Sequence, residues 1–144
     1  MALAQQPLAG FSTQSAPDLS NKAVQERLSR AAVPAFFKLA QAWRLRDESA
    51  RQLLGGMSNG VFYQLKRGQK KVLDQDKLTR ISLLVGTFKA LNILYSRKLA
   101  DSWVSLPNSN PMFAGKMPLD YMITGGVPAL IRVRQLLDAR RGGR

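Results

Sequence analysis

The 144-residue chain contains no cysteine and no histidine. Without cysteine there can be no disulfide and no thiolate metal site, which fits the reducing cytoplasm where the chain is expected. The two absences together remove the side chains that supply most general bases, nucleophiles and transition-metal ligands. Nine carboxylates, three tyrosines and the hydroxyls are left for any catalysis. The carboxylates stand singly or in the first turns of predicted helices, where capping accounts for them, so neither an enzyme nor a cofactor is expected. Long apolar runs are missing too. The longest, Ile81 to Phe88, is interrupted by Ser82, Gly86 and Thr87 and is too short to cross a bilayer, so no membrane role is expected. No charged segment precedes an apolar run at the N-terminus, so no signal peptide is predicted. Acidic residues are scarce: 22 Lys and Arg against 9 acids leave a formal charge of +13. A field of that size favours a polyanion, most often nucleic acid, or an acidic protein partner.

What is present is helical periodicity, with no strand pattern and no internal repeat. Residues 1–17 are uncharged and rich in Ala, Gln, Ser, Pro and Gly, and read as a mobile arm. Asp18 to Ala32 predicts a short amphipathic helix that Pro34 closes, Pro34 then sitting in the first turn of a helix carrying Phe36, Phe37, Leu39 and Trp43. Asp47 is expected to cap a helix ending at Gly55 and Gly56, and Ser58 to cap a second one stopped by Gly68. Two short helices around a Gly-containing turn have the shape of a helix-turn-helix. From Asp74 to about Tyr95, Leu78, Ile81, Leu84, Val85, Phe88, Leu91 and Leu94 form a wide apolar stripe, better suited to a core than to a short coiled coil. After Trp103 the composition shifts to turn chemistry, from Leu106 to Gly115. A short helix from Pro118 to Thr124 is expected to stop at Gly125 and Gly126. Pro128 opens the last helix, with Leu130, Val133 and Leu137 inward and Arg132, Arg134 and Asp138 outward.

The second helix of the helix-turn-helix turns Val61, Phe62 and Leu65 inward, which leaves Ser58, Asn59, Gly60, Tyr63, Gln64 and Arg67 on or beside its outer face. Asn and Gln can pair with adenine edges and Arg with guanine, so this face is suited to the major groove. Lys66, Lys70 and Lys71 would hold phosphates, which position a protein without choosing a sequence. The same pattern also fits a solvated helix in a small bundle. In the Pro107–Gly115 loop the Asn side chains fold the turn and Phe113 can plug a pocket, although a connector is the simpler reading of the loop itself. Arg140, Arg141 and Arg144, around Gly142 and Gly143, form a basic end that pattern alone reads as a solvated tail.

From about Trp43 to Gly143 the chain resembles the Xre-like antitoxins with the MbcA/ParS-type toxin-binding domain, partners of RES-domain toxins. The matching pieces stand in order: Glu48 to Gly55, Asp76 to Leu91, Trp103 with Pro107 and Asn108, Pro111 to Gly115, Pro118 with Leu119, Gly125 with Gly126, and Val133 to Gly143. The chain departs from that pattern where Val61 and Leu65 replace a Thr and a Trp frequent in relatives. Gly56 resembles an extra turn residue, and Met112 stands for a commoner Leu, a volume-conserving exchange. The resemblance implies an all-α protein: an N-terminal helix-turn-helix bundle at 18–96, followed by a small helical toxin-binding domain at 97–144. It implies inhibition of a RES-domain toxin that degrades NAD, repression of the chain's own operon through operator DNA, and a homodimer or higher toxin–antitoxin assembly. The DNA-binding set is then Ser58, Asn59, Tyr63, Gln64, Lys66, Arg67, Lys70 and Lys71. The toxin-binding set is Pro107, Asn108, Phe113, Gly115, Leu119, Arg132, Arg134, Asp138, Arg140, Arg141 and Arg144. The alternative is a stand-alone helix-turn-helix regulator without a toxin.

Overall fold

A computed structural model describes residues 17–142; the rest of the expected N-terminal arm, and Gly143 with Arg144, lie outside the described residues. Every regular element among them is helical: α1 (Lys22–Ala42), α2 (Asp47–Leu53), α3 (Asn59–Lys66), α4 (Gln75–Leu94), α5 (Arg97–Ser102) and α6 (Pro118–Arg141). Two 3-10 turns, Trp103–Ser105 and Pro111–Phe113, lie between α5 and α6.

Side-chain caps start most of these helices. Asn21, Ser58, Asp74 and Ser96 each accept a hydrogen bond from the backbone N–H three residues on, satisfying a donor that has no partner inside the helix. The first three helices end alike. The N–H two residues beyond the cap reaches back to a carbonyl five earlier: Leu45 to Ala40, Gly56 to Arg51, Gln69 to Gln64. This closure needs one left-handed residue, supplied by Gly55 after α2, Gly68 after α3 and, with no glycine available, Arg44 after α1.

Two expectations are corrected here. Pro34 does not close a helix but lies inside the continuous α1. Proline deprives the carbonyl four residues earlier of its partner; that carbonyl belongs to Arg30, and both Arg30 and Pro34 are exposed, so the break in the ladder falls on the solvent side of the helix, where it costs less. Asp47 does not cap α2; it is the first residue of the helix, Arg46 occupies the cap position, and the Asp47 carboxylate points to α3 instead. The short helix α5 is an addition to the expected order.

The break expected near Gly125 and Gly126 is real, though one helical span crosses it: α6 bends where Gly126 takes φ 65°, ψ −150°. Pro128 lies two residues later, and Ala129, Leu130, Val133 and Leu137 are buried beyond it. The long helix α4 occupies the centre and packs most extensively on α6, then on α1, while α2 also touches α6. Its Leu78, Ile81, Leu84, Ala90 and Leu91 belong to one continuous core with Phe36 and Trp43 of the N-terminal part and Phe113, Met122 and Val133 of the C-terminal part. No helix among the described residues is long and apolar enough to cross a membrane.

Candidate nucleic-acid and partner interfaces

Helices α2 and α3 are joined by the Gly55–Ser58 turn, and Arg51 fixes it: its guanidinium donates to the Met57 carbonyl at 2.8 Å and to Glu48 at 2.9 Å. Phe62 and Leu65 anchor α3 in the core, and Phe62 lies 5.4 Å from the ring of Phe37 on α1. Val61 is half-buried. The outer surface of α3 then carries Asn59, Gly60, Tyr63, Lys66 and Arg67, all exposed, while Gln64 is half-buried. Ser58 is exposed too, but its hydroxyl already caps α3 by accepting from the Val61 N–H at 3.3 Å. Lys70 is exposed and Lys71 half-buried in the loop that follows.

Two members of this face have an intramolecular partner that sequence spacing did not reveal. The Tyr63 hydroxyl donates to Asp47 Oδ2 at 3.0 Å, and Lys66 Nζ donates to Asp47 Oδ1 at 2.7 Å. One carboxylate at the start of α2 thus holds two side chains one turn apart on α3. The Lys66 bond, with that from Tyr63, keeps the Asp47 carboxyl below its ordinary range; in return, the bond to Asp47 raises the Tyr63 phenol above its own. Because the Asp47 value is depressed in the folded state, its contribution to stability is present above the ordinary carboxylate range and disappears as pH falls through the lowered value. The pair is solvent-exposed, so its effect falls on the orientation of Tyr63 and Lys66 far more than on global stability.

In the C-terminal part, the 107–116 segment folds on its own asparagines. Asn108 Oδ1 accepts from Asn110 N–H at 2.9 Å, and Asn110 Oδ1 from Met112 N–H at 3.0 Å. Pro107 and Gly115 are exposed on either side, Asn108 is half-buried, and Gly115 has φ 82°. Phe113 is 1% exposed and stacks edge-on between Trp103 at 6.0 Å and Tyr121 at 5.2 Å; Leu119 is buried as well. The expectation that Phe113 plugs a partner's pocket therefore does not fit this structure: the ring fills the chain's own core.

The charged members of the expected toxin-binding set lie along the second half of α6. Arg132 is exposed and donates to the Tyr121 hydroxyl at 3.5 Å. Asp138 receives Arg134 at 3.1 Å and Arg141 at 3.5 Å, which brings these three side chains together. The Arg134 guanidinium also lies across the bare backbone of Gly86 on α4, where a Cβ would stand only 1.7 Å from its Nη1. Arg140 is half-buried and donates to the Tyr95 hydroxyl at 3.1 Å. Arg144 falls outside the described residues. No carboxylate cluster among the described residues could hold a metal ion.

Comparison with known proteins assigns both halves. The Xre-like helix-turn-helix domain of antitoxins matches residues 23–86, and the Xre/MbcA/ParS C-terminal toxin-binding domain of antitoxins matches residues 90–143. A relative from Sinorhizobium fredii (strain NBRC 101917 / NGR234), the uncharacterized protein y4oB, is 39% identical over 114 residues, covering 78% of this chain and 86% of its own length. No solved structure matches at a significant level. Both matching domains belong to antitoxins, and neither is an enzyme domain. In this order along an all-helical chain, with the central helix packed against both parts, they make the protein a member of the Xre-like antitoxins that carry the Xre/MbcA/ParS toxin-binding domain.

Proposed function

We propose that the chain neutralises a RES-domain, NAD-degrading toxin through its C-terminal half, and represses its own operon by binding operator DNA through α3 as a homodimer or a higher toxin–antitoxin assembly. The observation that carries this reading is the pairing of a toxin-binding domain with a helix-turn-helix domain on one core. The exposed surface of α3 and the loop after it support the DNA part, since Asn59 and Arg67 can meet base edges while Lys70, exposed, and Lys71, half-buried, can meet phosphates. The exposed Arg132, which pairs with no carboxylate among the described residues, supports the toxin part, because a guanidinium fork fits a carboxylate of a partner's active site bidentately; Arg134 and Arg141 flank it, held by Asp138.

Co-expression with a RES-domain toxin tests the toxin part: the two should co-purify at a fixed ratio, and NAD should persist. A chain shortened by deleting Arg140 to Arg144 should still bind the toxin but fail to preserve NAD. Full inhibition by the shortened chain would dismiss the tail as the blocking element. The double change Gln64→Ala with Arg67→Ala should cost roughly 1–3 kcal/mol per lost base contact in promoter affinity while toxin neutralisation persists. Loss of neutralisation in a folded double variant would show that the functions do not divide near residue 97.

Asp47→Asn gives a subtler check on the same surface. It releases Lys66 from its carboxylate and makes one more cation available to phosphates. The slope of log affinity against log salt should steepen by about 0.9 in mobility-shift assays. An unchanged slope would mean that Lys66 faces away from the DNA.

A further inference from the structure

A groove of about 560 Å³ runs between α1 and the segment that follows α3. Val33, Pro34 and Phe37 of α1 and Leu65 of α3 line it, with Val72, 47% exposed, on the opposite side. The groove is held open by a buried polar tie. Ser29, 4% exposed, donates its hydroxyl to the Gln25 carbonyl and accepts the Leu73 N–H at 2.9 Å, which fixes the 72–73 backbone against α1. Phe37 beneath it is set by its ring contacts with Phe36 and Phe62. The left-handed Gly68 turns the chain away from α3, so that the 69–72 segment forms the other wall.

The lining is apolar and its charge is one-sided. Arg30, Lys66, Lys70 and Lys71 border the groove against the single carboxylate of Glu26. Lys66 is committed to Asp47, whereas Arg30, Lys70 and Lys71 have no acidic partner among the described residues. A nucleic-acid backbone would satisfy the cations but leave the apolar lining wet. An apolar peptide would cover the lining and leave three cations unanswered. A drug-sized recess with an apolar interior and a few charges at the mouth has the form of a small-molecule site.

We propose that this groove binds a small amphiphilic anion, with an aromatic or acyl body over Val33, Phe37 and Leu65 and a phosphate, sulfonate or carboxylate head held by Arg30 and Lys70. The head gains charge-assisted hydrogen bonds, and the body removes apolar side-chain surface from water.

Titration of the full chain with 1-anilinonaphthalene-8-sulfonate, without DNA so that the result is independent of the promoter reading, tests the proposal. Saturable binding of one probe per chain is expected, displaced by decyl phosphate below its micellar concentration and not by decanol. Arg30→Gln, at an exposed position outside the core, should leave the melting temperature unchanged and weaken the probe about tenfold. Lys98→Gln removes the same charge from α5 and should change binding less than about twofold. Absence of saturable binding overturns the site, as does equal displacement by decanol. Equal weakening by Arg30→Gln and Lys98→Gln would reduce the effect to net charge and overturn it too.

Discussion

Phe113→Ala is expected to lower the unfolding free energy by about 3–5 kcal/mol, the usual cost of emptying a buried phenyl site. For a domain of this size that corresponds to a fall of roughly 10–20 °C in the melting temperature. The ring is 1% exposed and holds Trp103 and Tyr121 edge-on, so nothing nearby can collapse freely into the space it leaves. Because the core runs without interruption from Phe36 to Leu137, promoter binding and toxin neutralisation should fall together as temperature rises. Thermal unfolding followed by circular dichroism, with mobility shifts at the same temperatures, measures both. If Phe113→Ala kept the native melting temperature yet lost toxin binding, the ring would act at the partner surface after all, and the buried position would not describe the protein in solution.

Gly126→Ala is expected to be nearly as damaging at a much smaller change in volume. Gly126 has φ 65°, ψ −150°, a region that an L side chain enters only at a cost of about 1–3 kcal/mol. The alternative, straightening α6 into regular helix, would redirect everything after Pro128, including the buried Leu130, Val133 and Leu137. Either the strain is kept or the second half of α6 leaves α4; both should weaken toxin neutralisation. Gly60→Ala is the control. Gly60 lies in α3 with open space around it, so a methyl there should be neutral or stabilising by up to about 1 kcal/mol. Equal melting temperatures for the two variants would remove the special role assigned to the break.

How much of this was legible from residues alone depended on range. Signals acting within four residues could be read: the cap Ser58, the stops Gly55 and Gly68, and the stripe of α4 from Asp74 on. The break at Gly126 was marked by the Gly-Gly-Val-Pro order itself. Pro34 misled because its cost depends on whether the carbonyl of Arg30 meets water or protein, which only the packed structure decides. Asp47 misled for a related reason: a carboxylate beside a helix start is a cap by local rules, but Lys66, 19 residues on, claims it through the tertiary fold. Of the candidate interfaces, the exposed basic residues were legible in outline. The inward turn of Phe113 was not, because a turn residue's side chain faces whichever side the distant Trp103 and Tyr121 make apolar.

The central helix also constrains how such proteins can be inherited. Gly86 leaves room for Arg134 of the toxin-binding half, while Phe88, two residues later, meets Trp43 at the end of α1 at 6.1 Å. Two positions apart on a helix face nearly opposite sides. A recombination joint inside residues 75–94 that gave one parent's DNA-reading half another parent's toxin-binding half would therefore have to match both partners at once. A donor with alanine at position 86 would push the flexible end of Arg134 aside, shifting its pairing with Asp138 even though neither arginine nor aspartate had changed. Exchange of the two parts should accordingly be tolerated best when α4 and α6 move together.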